Sequence, residues 1–350
     1  MAMSNLFAGV AGYVGRPDAV GAVGVFRRPA GAGAWEHVLK EHETYTVFVH
    51  PADPNLIFAG TADGVYRSTN GGASFSRASF PDAKKQIWCF LVTDNNPDRM
   101  YAGGSPVDIY RSDDRGATWR KLPNPGFKEH CTGPFAARVM RMVQRPGRPD
   151  EIYAALEISG VIRTTDGGQT WEDVSADLIR LSDLPHLRSA IVQKETFAEG
   201  MLDGHAITIS PAEPDAPILA CRMGLFRTRD GGKTWQDMEI KRFSPTTYGR
   251  DVVASPHDPK TLYAALSVAA ASHDGGVYRS NDAGQTWQRF DKVQVHGTIM
   301  SVGLSHRDPN RVVIGARYDG EVFGTEDGGS SWQAMPLPGP VKDIYSVACA

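Results

Sequence analysis

Five arginines, Arg138, Arg141, Arg222, Arg250 and Arg317, are the side chains in this sequence best suited to gripping a ligand. A guanidinium presents a rigid planar fork to a carboxylate or phosphate, so the set points to a small anionic, carboxylated molecule. His205, or Tyr248 beside Arg250, is placed to act as general base or acid, with Glu157 as a further catalytic carboxylate. Tyr45, Trp88 and Tyr345 would form apolar walls. For a metal, the candidate imidazoles are His130, His205 and His296, although the chain has no HxH or HxxxH pair. Glu43, Asp203 and Asp343 are the carboxylates that could hold a hard cation instead. No cofactor is expected, and a bound metal ion is left open.

The elements that position these groups must come from a chain of 350 residues with 41% hydrophobic content, enough for a substantial core. A formal charge of −3 gives no global attraction to nucleic acid or to an anionic membrane, so neither is expected as a partner. Four scattered cysteines, Cys89, Cys131, Cys221 and Cys349, suggest neither a zinc knuckle nor a disulfide framework. The N-terminus has no basic segment followed by a long apolar run. These features together lead to the expectation of a cytoplasmic protein.

A nine-residue phrase recurs: "RSTNGGASF" from Arg67, "RSDDRGATW" from Arg111, "RTTDGGQTW" from Arg163, "RTRDGGKTW" from Arg227, "RSNDAGQTW" from Arg279 and "GTEDGGSSW" from Gly324. Asp or Asn can accept bonds from turn amides, glycine supplies positive φ, and the Ser or Thr hydroxyl adds a local bond. Repetition in six places makes this a building turn and not an active site. Its closing aromatic, Phe75, Trp119, Trp171, Trp235, Trp287 or Trp332, would pack against a neighbouring unit. Strand-length apolar segments between regularly spaced turns predict an all-β array.

The pattern S/T-x-D-x-G-x-T-W resembles the Asp-box, or BNR, repeat of sialidase-like β-propellers. The resemblance implies a single seven-bladed propeller over residues 1–350, built of four-stranded blades whose closing blade is shared by the N- and C-termini. "YSVACA" from Tyr345 aligns with "YTVFVH" from Tyr45 as a first strand with nothing after it, and "NLFAGVAG" from Asn5 matches "NLIFAGTADG". Closure would remove the open sheet edges. The resemblance also implies that each first strand lines a central channel, with the pocket on the face opposite the repeated turns. It does not extend to a sialidase site, because the chain has no R-I-P phrase.

Aligning the blades on "YTVFVH" produces three informative columns. The column of Tyr45 holds Trp88, Met140, His205, Arg250, Met300 and Tyr345. Two residues earlier stand Glu43, Gln86, Arg138, Asp203, Tyr248, Thr298 and Asp343, all polar. Two residues later the column is apolar, from Val47 to Val347, as packing between blades requires. The contrast predicts a functional mouth lined by the first two columns, with Asp251 as the expected internal partner of Arg250. Insertion 172–204, in which Leu178, Ile179, Leu181 and Leu184 could form one face of a short helix broken near Pro185, is a candidate lid.

The expected function is a hydrolase or lyase acting on an anionic small molecule. One alternative is a non-catalytic binding or assembly platform, similar to the propeller factors of photosystem II assembly. The other is a glycoside hydrolase, which needs two carboxylates flanking a sugar.

Overall fold

The computed structural model describes residues 4–190 and 196–350. Strands pair into seven antiparallel sheets of four strands each, arranged as a seven-bladed β-propeller. Blades I to VI span residues 44–77, 86–121, 138–173, 204–237, 248–289 and 299–334. The closing blade takes its innermost strand, Asp343–Cys349, from the C-terminal end and its outer three, Leu6–Ala11, Gly24–Arg28 and Glu36–Lys40, from the N-terminal end. These ends pair antiparallel from Leu6 opposite Cys349 to Ala11 opposite Asp343, which completes the last blade and closes the ring.

Buried apolar side chains gather in seven interblade cores, and the expected column supplies one residue to each. Val47 lies between the closing blade and blade I, Phe90 between I and II, Met142 between II and III, and Ile207 between III and IV. Val252, Val302 and Val347 complete the circuit. The closing aromatic of each repeated turn joins the core shared with the preceding blade, as Trp119 does beside Phe58 and Trp235 does beside Val174. Large rigid rings thus bury apolar area between successive blades.

The repeated turn is wired as its residue types demand. In blade II the Gly116 amide donates to Ser112 Oγ at 2.8 Å and the Thr118 amide to Asp114 Oδ1 at 2.9 Å. The Thr118 hydroxyl closes the loop on Asp114 Oδ2 at 2.6 Å. The same bonds recur around Asp166, Asp230, Asp282 and Asp327.

The insertion after blade III forms a short helix, Ala176–Leu181, a turn of 3-10 helix at Pro185–Leu187, and a second short helix, Glu199–Leu202. Leu178 and Leu181 are buried in the core between blades III and IV, whereas Leu184 is exposed. The Asp177 carboxylate accepts from the Trp235 amide at 2.7 Å and pins the first helix to blade IV. No described residue of the insertion lines the cavity along the channel axis, and residues 191–195 of the candidate lid lie outside the described residues. The four cysteines are buried free thiols. No helix among the described residues is long and apolar enough to cross a membrane.

Candidate functional site

Every blade carries a β-bulge in its innermost strand, and the extra residue is always the member of the Tyr45 column. Register shifts between Thr44 and Thr46, Ile87 and Cys89, Val139 and Arg141, Gly204 and Ala206, Gly249 and Asp251, and Ile299 and Ser301 isolate Tyr45, Trp88, Met140, His205, Arg250 and Met300. In the closing blade the pairing passes from Ser346 to Ile344 and leaves out Tyr345. A bulge places two residues opposite one and re-aims a side chain. Here seven of them turn seven side chains toward the axis.

In blade V, blade VI and the closing blade the next residue along the inner strand ties the blades together below that ring. The Val302 amide donates to Asp251 Oδ2 at 2.9 Å, the Val347 amide to Ser301 Oγ at 3.3 Å, and the Val47 amide to Ser346 Oγ at 3.1 Å. Small or short polar side chains are required here, because each must reach one backbone amide on the adjoining blade. Sequence reasoning missed this lacing, whose only signal is the run Asp251, Ser301, Ser346 immediately after the bulge.

The ring packs across the channel instead of standing open. Tyr45 stacks on Trp88 with centroids 4.0 Å apart, and Tyr345 meets the two edge-on at 5.8 and 5.7 Å. Tyr45, Trp88, Met140, Met300 and Tyr345 form one apolar cluster with Ala11. A cavity of about 620 Å³ lies on the side facing the repeated turns, reaching Pro51, Asp94, Pro146, Pro211, Pro256 and His306 in the loops between first and second strands. The expected placement is therefore corrected in part. Tyr45, Trp88, Arg141, His205, Arg250 and Tyr345 line the cavity, whereas Arg138, Glu157, Arg222, Tyr248 and Arg317 do not. The latter lie toward the opposite face, in or near the polar column or in the loops between second and third strands.

The arginines separate by partner. Arg138 Nη1 holds Glu157 Oε2 at 2.8 Å, its guanidinium 4.2 Å above the Trp88 ring. Arg222 grips Asp203 Oδ2 through Nη2 at 2.8 Å and Nε at 3.0 Å. Arg141 bonds Asp251 Oδ1 at 2.9 Å, so Asp251 is the partner of Arg141 and not of Arg250, as had been expected. The reason is reach: the long Arg141 side chain spans from blade III to blade V, while the bulge turns Arg250 away from its chain neighbour. Arg250, 7% exposed, has no hydrogen-bond or ion-pair partner among the described residues. Arg317 is buried between the faces of Tyr13, at 3.8 Å, and Tyr345, at 5.6 Å. Its Nε and Nη1 are unpartnered, and Nη2 meets only the Met300 sulfur at 3.2 Å.

A proton-carrying line adjoins these arginines. His205 Nδ1–H donates to the Gly249 carbonyl at 2.7 Å, which fixes the tautomer and presents Nε2 to Tyr248 and Asp203. The Tyr248 hydroxyl donates to Nε2 at 3.2 Å. When protonated, Nε2 donates instead to Asp203 Oδ2, 3.3 Å away. Burial alone would raise the Asp203 carboxyl, but His205, Arg222 and Arg250 outweigh it and hold Asp203 well below the usual carboxylate range. Burial pushes the Tyr345 phenol up to about 12 and Tyr248 higher still, so both stay neutral donors at neutral pH. Burial also raises Asp343, despite its bond from Arg16 at 3.2 Å.

Metal binding fits this arrangement poorly. Glu157, Asp203 and His205 place their ligand atoms within 4.8 Å of one another. Arg138 and Arg222 already occupy the carboxylates, and Arg250 stands within electrostatic range of both, so a divalent cation would enter among guanidiniums. His130 and His296 are corrected as channel candidates. His130 bonds Asp173, at the outer edge of blade III, at 2.7 Å, and exposed His296 bonds Glu321 at 2.6 Å. Tyr13 and Arg16, which frame Arg317 and Asp343, were signalled only by the length of their loop.

No family model matches the chain. Among curated proteins it is similar to an oligoxyloglucan-reducing end-specific xyloglucanase of Emericella nidulans, 22% identical over 278 residues, covering 69% of this chain and 31% of the relative. A probable enzyme of the same name from Neosartorya fischeri is 27% identical over 285 residues, covering 70% and 34%. The chain thus spans about a third of the length of these relatives. Among solved structures it resembles the GH74 xyloglucanase of Xanthomonas campestris, with a TM-score of 0.61 and 14% identity over 83% of this chain and 45% of that one. It also resembles YCF48 from Cyanidioschyzon merolae, with a TM-score of 0.54 and 14% identity over 84% of this chain and 85% of that one. These likenesses agree with the seven-bladed fold.

Proposed function

We propose that this chain is a glycoside hydrolase-type propeller of the BNR/Asp-box kind, acting on a glycan at the ring of bulged residues. The reading favours glycoside cleavage over the broader expectation of a hydrolase or lyase for a small anion. Support comes from the xyloglucanases among its relatives. The observation that carries it is the carboxylate pair Asp203 and Glu157, whose nearest oxygens are within 4.8 Å beside the His205–Tyr248 line. That spacing is nearer the roughly 5–5.5 Å of the retaining arrangement than the roughly 6.5–9.5 Å of the inverting one.

In this mechanism Asp203, held ionised, attacks the anomeric carbon while Glu157, which enters the step with a proton on Oε1 and only Oε2 engaged by Arg138, protonates the departing oxygen. Arg138 holds Glu157 through Oε2 and orients it. Deprotonated in that step, Glu157 then takes the proton of the attacking water as the glycosyl bond to Asp203 breaks. His205 and Tyr248 are positioning residues: His205 helps keep Asp203 charged, and Tyr248 orients His205 through its bond to Nε2. The test is release of reducing ends from xyloglucan, cello-oligosaccharides and uronate-bearing oligosaccharides by the full chain and by Asp203→Asn and Glu157→Gln. Each variant is expected to lose on the order of 10²–10⁴-fold in kcat. No release from any glycan by the unmodified chain, or undiminished rates in both variants, would overturn the reading.

A second reading, a binding platform without turnover, is favoured by the aromatic packing of Tyr45, Trp88 and Tyr345 across the channel. It predicts ligand or partner binding that Asp203→Asn leaves intact, with no product formed by the unmodified chain.

A further inference from the structure

The separation of the arginines by partner has a consequence for what the ring can hold. Arg138 and Arg222 bond directly to Glu157 and Asp203. Arg250 and Arg317 make no direct hydrogen bond to a carboxylate among the described residues, although both are more than nine-tenths buried, and Arg317 leaves Nε and Nη1 unpartnered. Asp203, Glu157 and Asp343 act on them only at longer range, and a buried guanidinium whose N–H groups lack a direct acceptor favours a bound anion.

Their placement is specific. Arg250 is the bulged residue of blade V and forms part of the cavity wall. The adjoining bulged residue is Met300 of blade VI, and Arg317 Nη2 rests on its sulfur. Tyr345, the next in the ring, lies 5.6 Å from the Arg317 guanidinium. A flexible thioether therefore separates the two arginines, and its rotation would let both reach one group.

We propose that Arg250 and Arg317 form a carboxylate-binding subsite, and that its ligand is a uronic acid residue of a glycan. The inference rests on the glycoside reading above for the sugar, and on the two unpartnered guanidiniums for the charge. A carboxylate suits the site better than a phosphate does. Its two oxygens can each take a guanidinium edge, whereas the further oxygens of a phosphate would face Tyr13, Tyr345 and Met300, which offer ring faces and sulfur. Tyr345, whose ring the Arg317 guanidinium faces, also lines the cavity.

The test is calorimetric titration of the full chain with a trigalacturonate, with cellotriose and with inorganic phosphate, at low and high salt. Trigalacturonate is expected to bind at least tenfold more tightly than cellotriose and to weaken as salt rises. Arg250→Ala and Arg317→Ala should each weaken it by about 10- to 100-fold, while Arg242→Ala, an exposed arginine away from the channel, leaves it unchanged. Equal binding of the charged and neutral sugars, unchanged affinity in Arg250→Ala, or tighter binding of phosphate would overturn the proposal. Should Arg250→Ala fail to fold, a rise in melting temperature of the unmodified chain with trigalacturonate but not cellotriose, reduced in Arg317→Gln, supports the subsite, and its absence overturns it. The two readings fail separately. Cleavage of neutral glycans with no uronate preference removes the subsite alone, and tight uronate binding without cleavage removes only the hydrolase.

Discussion

Asp203 and Asp343 occupy the same column on different blades, yet their surroundings push them in opposite directions. Asp203 faces His205 and Arg222, which hold it ionised against the pull of burial. A carboxylate whose folded value is depressed adds stability above its unfolded value of about 3.9 and loses it as pH falls below that. Asp203→Asn should therefore melt lower at neutral pH, by on the order of 3–5 kcal/mol because Arg222 loses its buried partner. The gap should narrow as pH drops from about 4 toward 2 in a series of thermal melts. Asp343 is raised by burial, so its ionisation opposes folding as pH rises through the elevated value. Its partner Arg16 is largely open to solvent and adds little. Asp343→Asn should consequently gain stability relative to the unmodified chain between about pH 4 and 7, and a constant difference across that range would contradict this account.

Among the elements, the repeated turn and the inner-strand bulge do different work. Gly116 has φ +71°, and a Cβ there would meet Phe58 Cε1 at 2.3 Å in the core between blades I and II. Gly116→Ala should cost about 2–4 kcal/mol by thermal melting, from backbone strain and overpacking together, while leaving glycan binding unchanged. The turn was legible because its bonds are local: Asp114, Ser112 and Thr118 lie within seven residues and recur in register. The columns were legible because each position recurs in every blade, so its chemical class can be compared around the ring. The bulge was not legible, since an extra residue is defined only against the partner strand's register. Nor was the Arg141–Asp251 bond, which joins blades III and V and depends on a reach that no spacing encodes. The insertion was legible as a helix broken at Pro185, but Leu184 is exposed, because Leu178, Leu181, Leu187, Met201 and Leu202 fill the core between blades III and IV.

On the scale of the whole molecule, stability depends on closing a ring whose last blade joins both ends of the chain. Removing residues 343–350 would strip the inner strand from Leu6–Ala11, expose an unpaired edge and undo the Ser346 bond to Val47. Such a chain is expected to lose its cooperative thermal transition and to aggregate, whereas Ser346→Ala alone should cost about 1–3 kcal/mol. The closed ring also gives the site its character, since it brings Glu157 from blade III, Asp203 and His205 from blade IV, Arg250 from blade V and Arg317 from blade VI together around the ring of bulged residues. The central claim is that this convergence cleaves glycosidic bonds with Asp203 as the ionised carboxylate. The most direct measurement is the rate of reducing-end release from a panel of neutral and uronate-bearing oligosaccharides by the full chain and by Asp203→Asn. Turnover of at least one glycan that falls on the order of 10²–10⁴-fold in the variant is the predicted result, and turnover that survives the substitution, or no turnover by the unmodified chain, would contradict it.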